Sequence, residues 1–479
     1  MISKVKVHAL IDDIERDYIK CWDILCGIKE YSTKSGDINK IFEFQPILAN
    51  AIFKLSRKYR AIHQEKQKVI GKKKQLTPSW FKRRLKLLSG YQKSIKETIL
   101  IGKSLGDSYA WFWYQKDRSF IQEHLKHEEI FHFPPGIGGI GELEFIKNTK
   151  GFEGHLIIYH GTTSFLRLGD ISFIDLKSMK VSGIGEIKTK KISENKIQVN
   201  LFIQGTNIEN KLTFLQKKEL SEPPKRPQEK LPEWIKTRLK KQLKEVHLSF
   251  ENQNERKVSN KISREHKFHY DSLTELYRKI KENKFCYVKV GDGLLLVGYA
   301  LNRKSLSGKL DNRSIANLNK KLSNLIPSTM EIISKKREDN SIFIDSLHYT
   351  DGSKIYIMLG MVPLFWWPIS PNLIKQIIFQ DLVLVTIFNP SFLMEKLESV
   401  GFETENNGRK YRVYEMIDNN RLEFEGVSYF MRMIQQYLFT EESILDLLIS
   451  AKKEILSKKI EPRTKLVLQI EQKIPGLFN

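Results

Sequence analysis

Asp170, Glu186 and Lys188 are the residues of this chain whose types and spacing best suit catalysis. Two converging carboxylates offer hard oxygen ligands to a divalent cation, and such an ion stabilises charge on phosphate oxygens and lowers the pKa of an attacking water. A lysine beside them would position that nucleophile or neutralise phosphate charge. The triplet Glu186-Ile187-Lys188 says little by itself. With 56 acidic residues and so many lysines, about seven acid-x-Lys triplets arise by chance. Glu194-Asn195-Lys196, Glu282-Asn283-Lys284 and Glu471-Gln472-Lys473 are triplets of that kind. Context has to discriminate.

The elements around Glu186 supply that context. Residues 155–162, 169–176 and 181–190 read as β-rich runs, and 196–203 as a fourth. Runs 169–176 and 181–190 predict an antiparallel hairpin turning near Ser178 or Met179. Side chains alternate along a strand, so Glu186 and Lys188 share a face. A turn centred on 178 sets Asp170 opposite Glu186, and one centred on 179 sets it opposite Lys188. Either register brings the three together. Asp175, an odd step away, faces the other side and is the poorer ligand. A short helix after Gly141 carries Glu142 and Glu144, either of which could add a carboxylate.

This arrangement resembles the PD-(D/E)XK, or restriction-endonuclease-like, nuclease superfamily over about residues 135–205. The resemblance implies a mixed-sheet α/β core in which Asp170 and Glu186 bind Mg²⁺ or Mn²⁺. It also implies that the main-chain carbonyl of Ile187 completes the metal shell, Lys188 is the catalytic lysine, and Glu142, with Glu144 close behind, is the helix acid. Two features depart from the family pattern. Gly169 stands where the family has proline, and a strand at 196–203 follows where a helix and then a strand are usual. Either the sheet is extended, or residues 271–282 and 285–290 close the core after an insertion.

Charge points to a polyanionic partner. The net charge is +24 over 479 residues. It is concentrated in residues 1–132 and 133–342, while 343–479 is nearly neutral. The stretch 54–103 contains only two acids, Glu65 and Glu97, among its many Lys and Arg residues. Such a run attracts nucleic acid by counterion release. The expected contacts are Lys72, Lys73, Lys74, Lys82, Arg83, Arg84 and Lys86, with DNA the expected polymer. A lysine-rich coding bias is the competing account of the same charge.

Hydrophobic residues make up 41% of the chain, enough for sizeable cores, and the length calls for several domains. The reading is α/β multidomain. A basic helical domain spans 1–132, the nuclease-like core 133–220, a Pro-rich linker with a basic helix 221–265, and a C-terminal α/β domain 266–479. That last domain is where a partner protein or a second copy would bind. The aromatic run Tyr109 to Tyr114 reads as helix core rather than a base-stacking platform. Residues 285–290 and 294–300 flank Gly291-Asp292-Gly293 as a hairpin, and 341–348 and 354–361 form a second.

Other chemistries find little support. Three cysteines make neither a disulfide framework nor a zinc knuckle. His124-x-x-His127 followed by Glu128 and Glu129 reads as a solvated helix face in preference to a metal cluster. No apolar leader is visible, and the window Ile355 to Ile369 is shorter than the ~20 residues a membrane span needs. A cytoplasmic protein without membrane contact is therefore expected. Two functions remain: an Mg²⁺-dependent endonuclease, in restriction or defence against foreign DNA, or a non-catalytic nucleic-acid-binding protein with a degenerate nuclease fold.

Overall fold

The computed structural model describes residues 2–205 except 32–37, 129–130, 150, 153 and 194–195. It also describes 237, 241 and 261–470, except 263–265, 302–304, 308–311, 334–341, 348–361, 407–410, 418–419, 425 and 458–468. The chain divides into two compact units, Met1–Lys257 and Val258–Asn479. The helical segment and the sheet that follows it thus belong to one unit. The boundary falls inside the expected linker, whose Pro-rich run and basic helix lie outside the described residues. Among the described residues no helix is long and apolar enough to cross a membrane.

The first unit begins with three long helices, α1 (Lys4–Tyr31), α2 (Phe44–Gly71) and α3 (Pro78–Trp113). Apolar residues recur at helical spacing along α2, and Leu48, Ile52 and Leu55 are fully buried. Thr77 adopts extended backbone and Pro78 opens α3, where the missing amide hydrogen costs nothing. The second half of α3 is covered on all sides. Tyr109, Trp111, Trp113 and Tyr114 are core. Helix α4 (Arg118–His124) follows, then α5 (Ile137–Asn148).

Five strands form the sheet: β1 (Gly151–Phe152), β2 (His155–Tyr159), β3 (Ile171–Asp175), β4 (Lys180–Ser193) and β5 (Lys196–Gly205). Their order is sequential and every pairing is antiparallel. The expectation of a mixed sheet is therefore corrected for the described residues. Short connections let each strand fold back on its predecessor, whereas a parallel neighbour would need a long crossover. The sheet is extended by β5, and residues 271–282 and 285–290 belong to the second unit.

The second unit has a short strand β6 (Lys261–Ile262) and a four-stranded antiparallel sheet, β7 (Phe285–Val290), β8 (Leu294–Ala300), β10 (Leu382–Phe388) and β9 (Phe343–Ser346), in that order. The first predicted hairpin is β7–β8, turning at Gly291 with φ +57°. Of the second hairpin, 343–346 pairs with β10, and 354–361 lies outside the described residues. Helix α6 (Tyr270–Asn283) packs on β7 and β8. A three-stranded sheet, residues 403–424, and helices Val427–Tyr437 and Glu441–Ser457 complete a C-terminal α/β unit.

Candidate active site

The β3–β4 register places Ile171 across from Gly185 and Ser172 across from Ile184. A bulge between Phe173 and Ile174 takes up one residue before the turn. Asp170, immediately before β3, therefore arrives beside Glu186. Its N–H donates to the Gly185 carbonyl at 2.9 Å, and its Oδ2 accepts the Ile187 N–H at 2.7 Å. One aspartate thus grips both neighbours of Glu186. Asp175 caps the turn instead, accepting from the Lys177 N–H at 2.9 Å and the Ser178 hydroxyl at 2.7 Å.

Gly169 has φ +73°, a conformation open to glycine and closed to proline, whose ring fixes φ near −65°. A Cβ there would stand 2.5 Å from Ile184 Cγ2. The departure from the family's proline thus follows from the backbone turn that delivers Asp170. Helix α5 begins at Ile137, four residues before Gly141 and earlier than expected. Tertiary contact overrides the poor helix propensity of its glycines: a Cβ on Gly141 would lie 2.0 Å from Thr189 Oγ1, so only glycine allows α5 this close to β4.

That approach buries Glu142, whose Oε2 accepts the Tyr159 hydroxyl. Glu144 lies on the outer side of α5, paired with Lys147 at 3.3 Å. Tyr159 is set by Gln45 of α2, whose amide donates to the Ile157 carbonyl at 2.6 Å and accepts the Tyr159 N–H at 2.7 Å. Glu186 is 4% exposed, and its Oε2 accepts from Lys188 Nζ at 2.8 Å. Lys188 retains an opening to solvent, as does Asp170.

The electrostatics describe an acidic cluster short of positive charge. Burial pushes Glu142 up to about 7, opposed by the Tyr159 hydrogen bond and Lys188 and reinforced by Glu186. Burial raises Asp170 well above the usual aspartate range, with Glu186 and Glu142 adding to the rise. Each of the three carboxylates commits one oxygen to a hydrogen bond, and among the described residues the second oxygen has no such partner. No three His, Cys, Asp or Glu side chains among the described residues stand close enough, as placed, to enclose one ion. Oxygen donors, partial burial and excess negative charge are nevertheless the chemistry that a hard divalent cation takes.

Behind Asp170 lies a buried polar chain that sequence reasoning missed. The His124 Nδ1 accepts the N–H groups of Arg167 and Leu168 at 3.1 and 3.0 Å, leaving Nε2 to donate to the Tyr114 hydroxyl at 3.2 Å. Tyr114 donates to Ser172 at 2.5 Å, and Ser172 donates to His160 Nε2 at 2.6 Å. His160 Nδ1 donates to the Gly169 carbonyl at 3.0 Å, and the His160 N–H donates to the Asp170 carbonyl at 2.9 Å. Burial holds both histidines neutral, with His160 pushed down to about 3. His124 is therefore a structural residue with both ring nitrogens engaged. The sole sequence signal was a serine in the apolar strand 171–174.

Among the expected nucleic-acid contacts, Lys72, Lys73, Lys74, Lys82, Arg83 and Lys86 are exposed where α2 turns into α3. Arg84 is corrected. It is buried, paired with Glu65 and donating to the Ile2 carbonyl at 3.0 Å, because its position on α3 faces α1 and α2. It cannot also meet a phosphate. Compared with known proteins, the chain matches no family model, no curated protein and no solved structure.

Proposed function

We propose that the first unit is a divalent-cation-dependent phosphodiesterase acting on nucleic acid, a nuclease of the PD-(D/E)XK type. The observation that carries the reading is the placement of Asp170 on both neighbours of Glu186, with Lys188 on the same strand and Glu142 brought in by α5. Asp170, Glu186 and the Ile187 carbonyl would hold the ion. When bound, the ion supplies Lewis-acid stabilisation of phosphate charge and a more acidic water.

The chain's own groups support this chemistry. Lys188 is part-exposed beside Glu186, and its ammonium would meet a phosphate oxygen or orient the attacking water. Glu142 sits near neutrality, suited to exchanging a proton with that water. Tyr159, raised by burial and by Glu142, stays protonated and keeps Glu142 oriented. DNA is the proposed polymer and Mg²⁺ or Mn²⁺ the ion. Defence against foreign DNA is the proposed setting, by analogy with the family's habits alone.

Metal binding tests the fit. Calorimetric titration of the full chain with Mn²⁺ should show saturable binding that Glu186→Gln weakens at least about tenfold. Equal binding by the variant would place the ion elsewhere.

A further inference from the structure

The turn between α2 and α3 is strongly basic, and it is not part of the carboxylate cluster. From Lys66 to Lys96 the sequence holds eleven Lys or Arg and no acid. Among the described residues only Arg84 of these is paired with an acid, Glu65. At the tip Trp80 is 38% exposed, between the exposed lysines 72–74 and Lys82 and Arg83. The other tryptophans among the described residues, 22, 111, 113, 366 and 367, are all buried. Trp80 thus keeps more than a third of its surface in water amid cations, where the other described tryptophans are enclosed.

Position adds to composition. Phe53 of α2 lies against Gly139 of α5, at the end of the helices that carries the carboxylates. Nineteen residues of helix separate Phe53 from Lys72, a span of about 28 Å at about 1.5 Å per residue. The basic turn therefore lies toward the opposite end of α2 from its contact with α5.

We infer that this tip is a second nucleic-acid anchor specific for unpaired strands, its lysines and Arg83 meeting phosphates while a base stacks on Trp80. Stacking on an indole requires a base face that a duplex keeps hidden, whereas phosphate contacts are indifferent to pairing. An anionic membrane is the poorer partner. Insertion requires a continuous apolar face, and here the exposed apolar residues Ile70, Trp80 and Leu87 are separated by charge. Treating tip and pocket as two contacts on one substrate rests on the nuclease reading; the binding preference of the tip does not.

The test uses the full chain carrying Asp170→Asn, without divalent ions, so that no cleavage can intervene. Fluorescence anisotropy would follow a labelled oligothymidylate of about 20 nucleotides and a duplex of similar length. Trp80→Ala should weaken single-strand binding about five- to a hundredfold and leave duplex binding within about twofold. Replacing Lys72, Lys73 and Lys74 with Gln should weaken both and lower the single-strand salt slope by about 2. All four positions are exposed, so unchanged melting temperatures are expected to accompany these losses. Equal loss for both polymers in Trp80→Ala, or none, would overturn the inference. So would Trp80-dependent binding to phosphatidylserine vesicles with no oligonucleotide binding. A failure of cleavage by the parent chain would sink the nuclease reading and leave this binding result standing.

Discussion

Asp170 holds the Ile187 amide: its Oδ2 accepts that N–H at 2.7 Å, fixing the peptide that joins Glu186 to Ile187. An amide oxygen can accept the same bond, but it brings no charge to an already acidic pocket. Asp170→Asn should therefore keep the fold and stabilise it by about 1 kcal/mol at pH 8, where repulsion from Glu186 and Glu142 is greatest. Denaturant unfolding checks the sign. A loss of 2 kcal/mol or more would show that the carboxylate serves stability.

Arg84 and Lys82 lie two residues apart on α3 and should behave oppositely. Arg84 is enclosed with Glu65 and the Ile2 carbonyl, so Arg84→Ala leaves a partly buried carboxylate and a carbonyl without their partner. A loss of about 2–3 kcal/mol is expected, against no more than about 0.5 kcal/mol for Lys82→Ala. Nucleic-acid affinity should fall for Lys82→Ala at unchanged stability. Similar melting curves for the two variants would contradict the assignment of Arg84 to the core.

The two buried histidines predict acid sensitivity. His160 binds its proton only near pH 3 in the fold, against 6.5 for the ordinary side chain. Between those values the unfolded chain holds more protons, so stability is present above pH 6.5 and drains away as pH falls toward 3. At pH 5 the cost for His160 alone is about 2 kcal/mol. Glu142, held up at about 7, has the opposite slope over the overlapping range because the fold then binds the extra proton. Comparing variants separates the two: His160→Gln should flatten the decline in stability between pH 7 and 5. Parallel curves for parent and variant would refute a neutral buried His160.

Much of the first unit was legible because its hydrophobic periods are clean. The strand runs around 155–203 and the choice of Asp170 over Asp175 follow from alternation, with Asp175 taken up by the turn. What sequence did not reveal depends on contacts between distant segments. The close approach of α5 to β4 depends on Gly141, which meets Thr189, and Glu142 rather than Glu144 is turned inward to Tyr159 across the interface. Arg84 looked like its neighbours in composition, and only its place on the inner side of α3 separates it from them. The sheet is antiparallel where a mixed one was expected; the strand at 196–203 was legible, and its pairing of Lys196 with Ser193 leaves no length of chain for a crossover helix. His124 read as a solvated helix residue and is instead one end of the chain of hydrogen bonds behind Asp170.

Hydrolysis at Asp170, Glu186 and Lys188 is tested most directly by a cleavage assay. The parent chain, Asp170→Asn and Lys188→Ala would be incubated with single-stranded DNA, duplex DNA and RNA, with Mg²⁺ or Mn²⁺ and with chelator. The expected result is ion-dependent cleavage by the parent chain, reduced about 100-fold or more in both variants while their melting temperatures show an intact fold. Ion-dependent cleavage at parental rates in both variants would contradict the account. So would the absence of cleavage of every polymer by the parent chain, which would leave a nucleic-acid-binding protein on a degenerate nuclease fold.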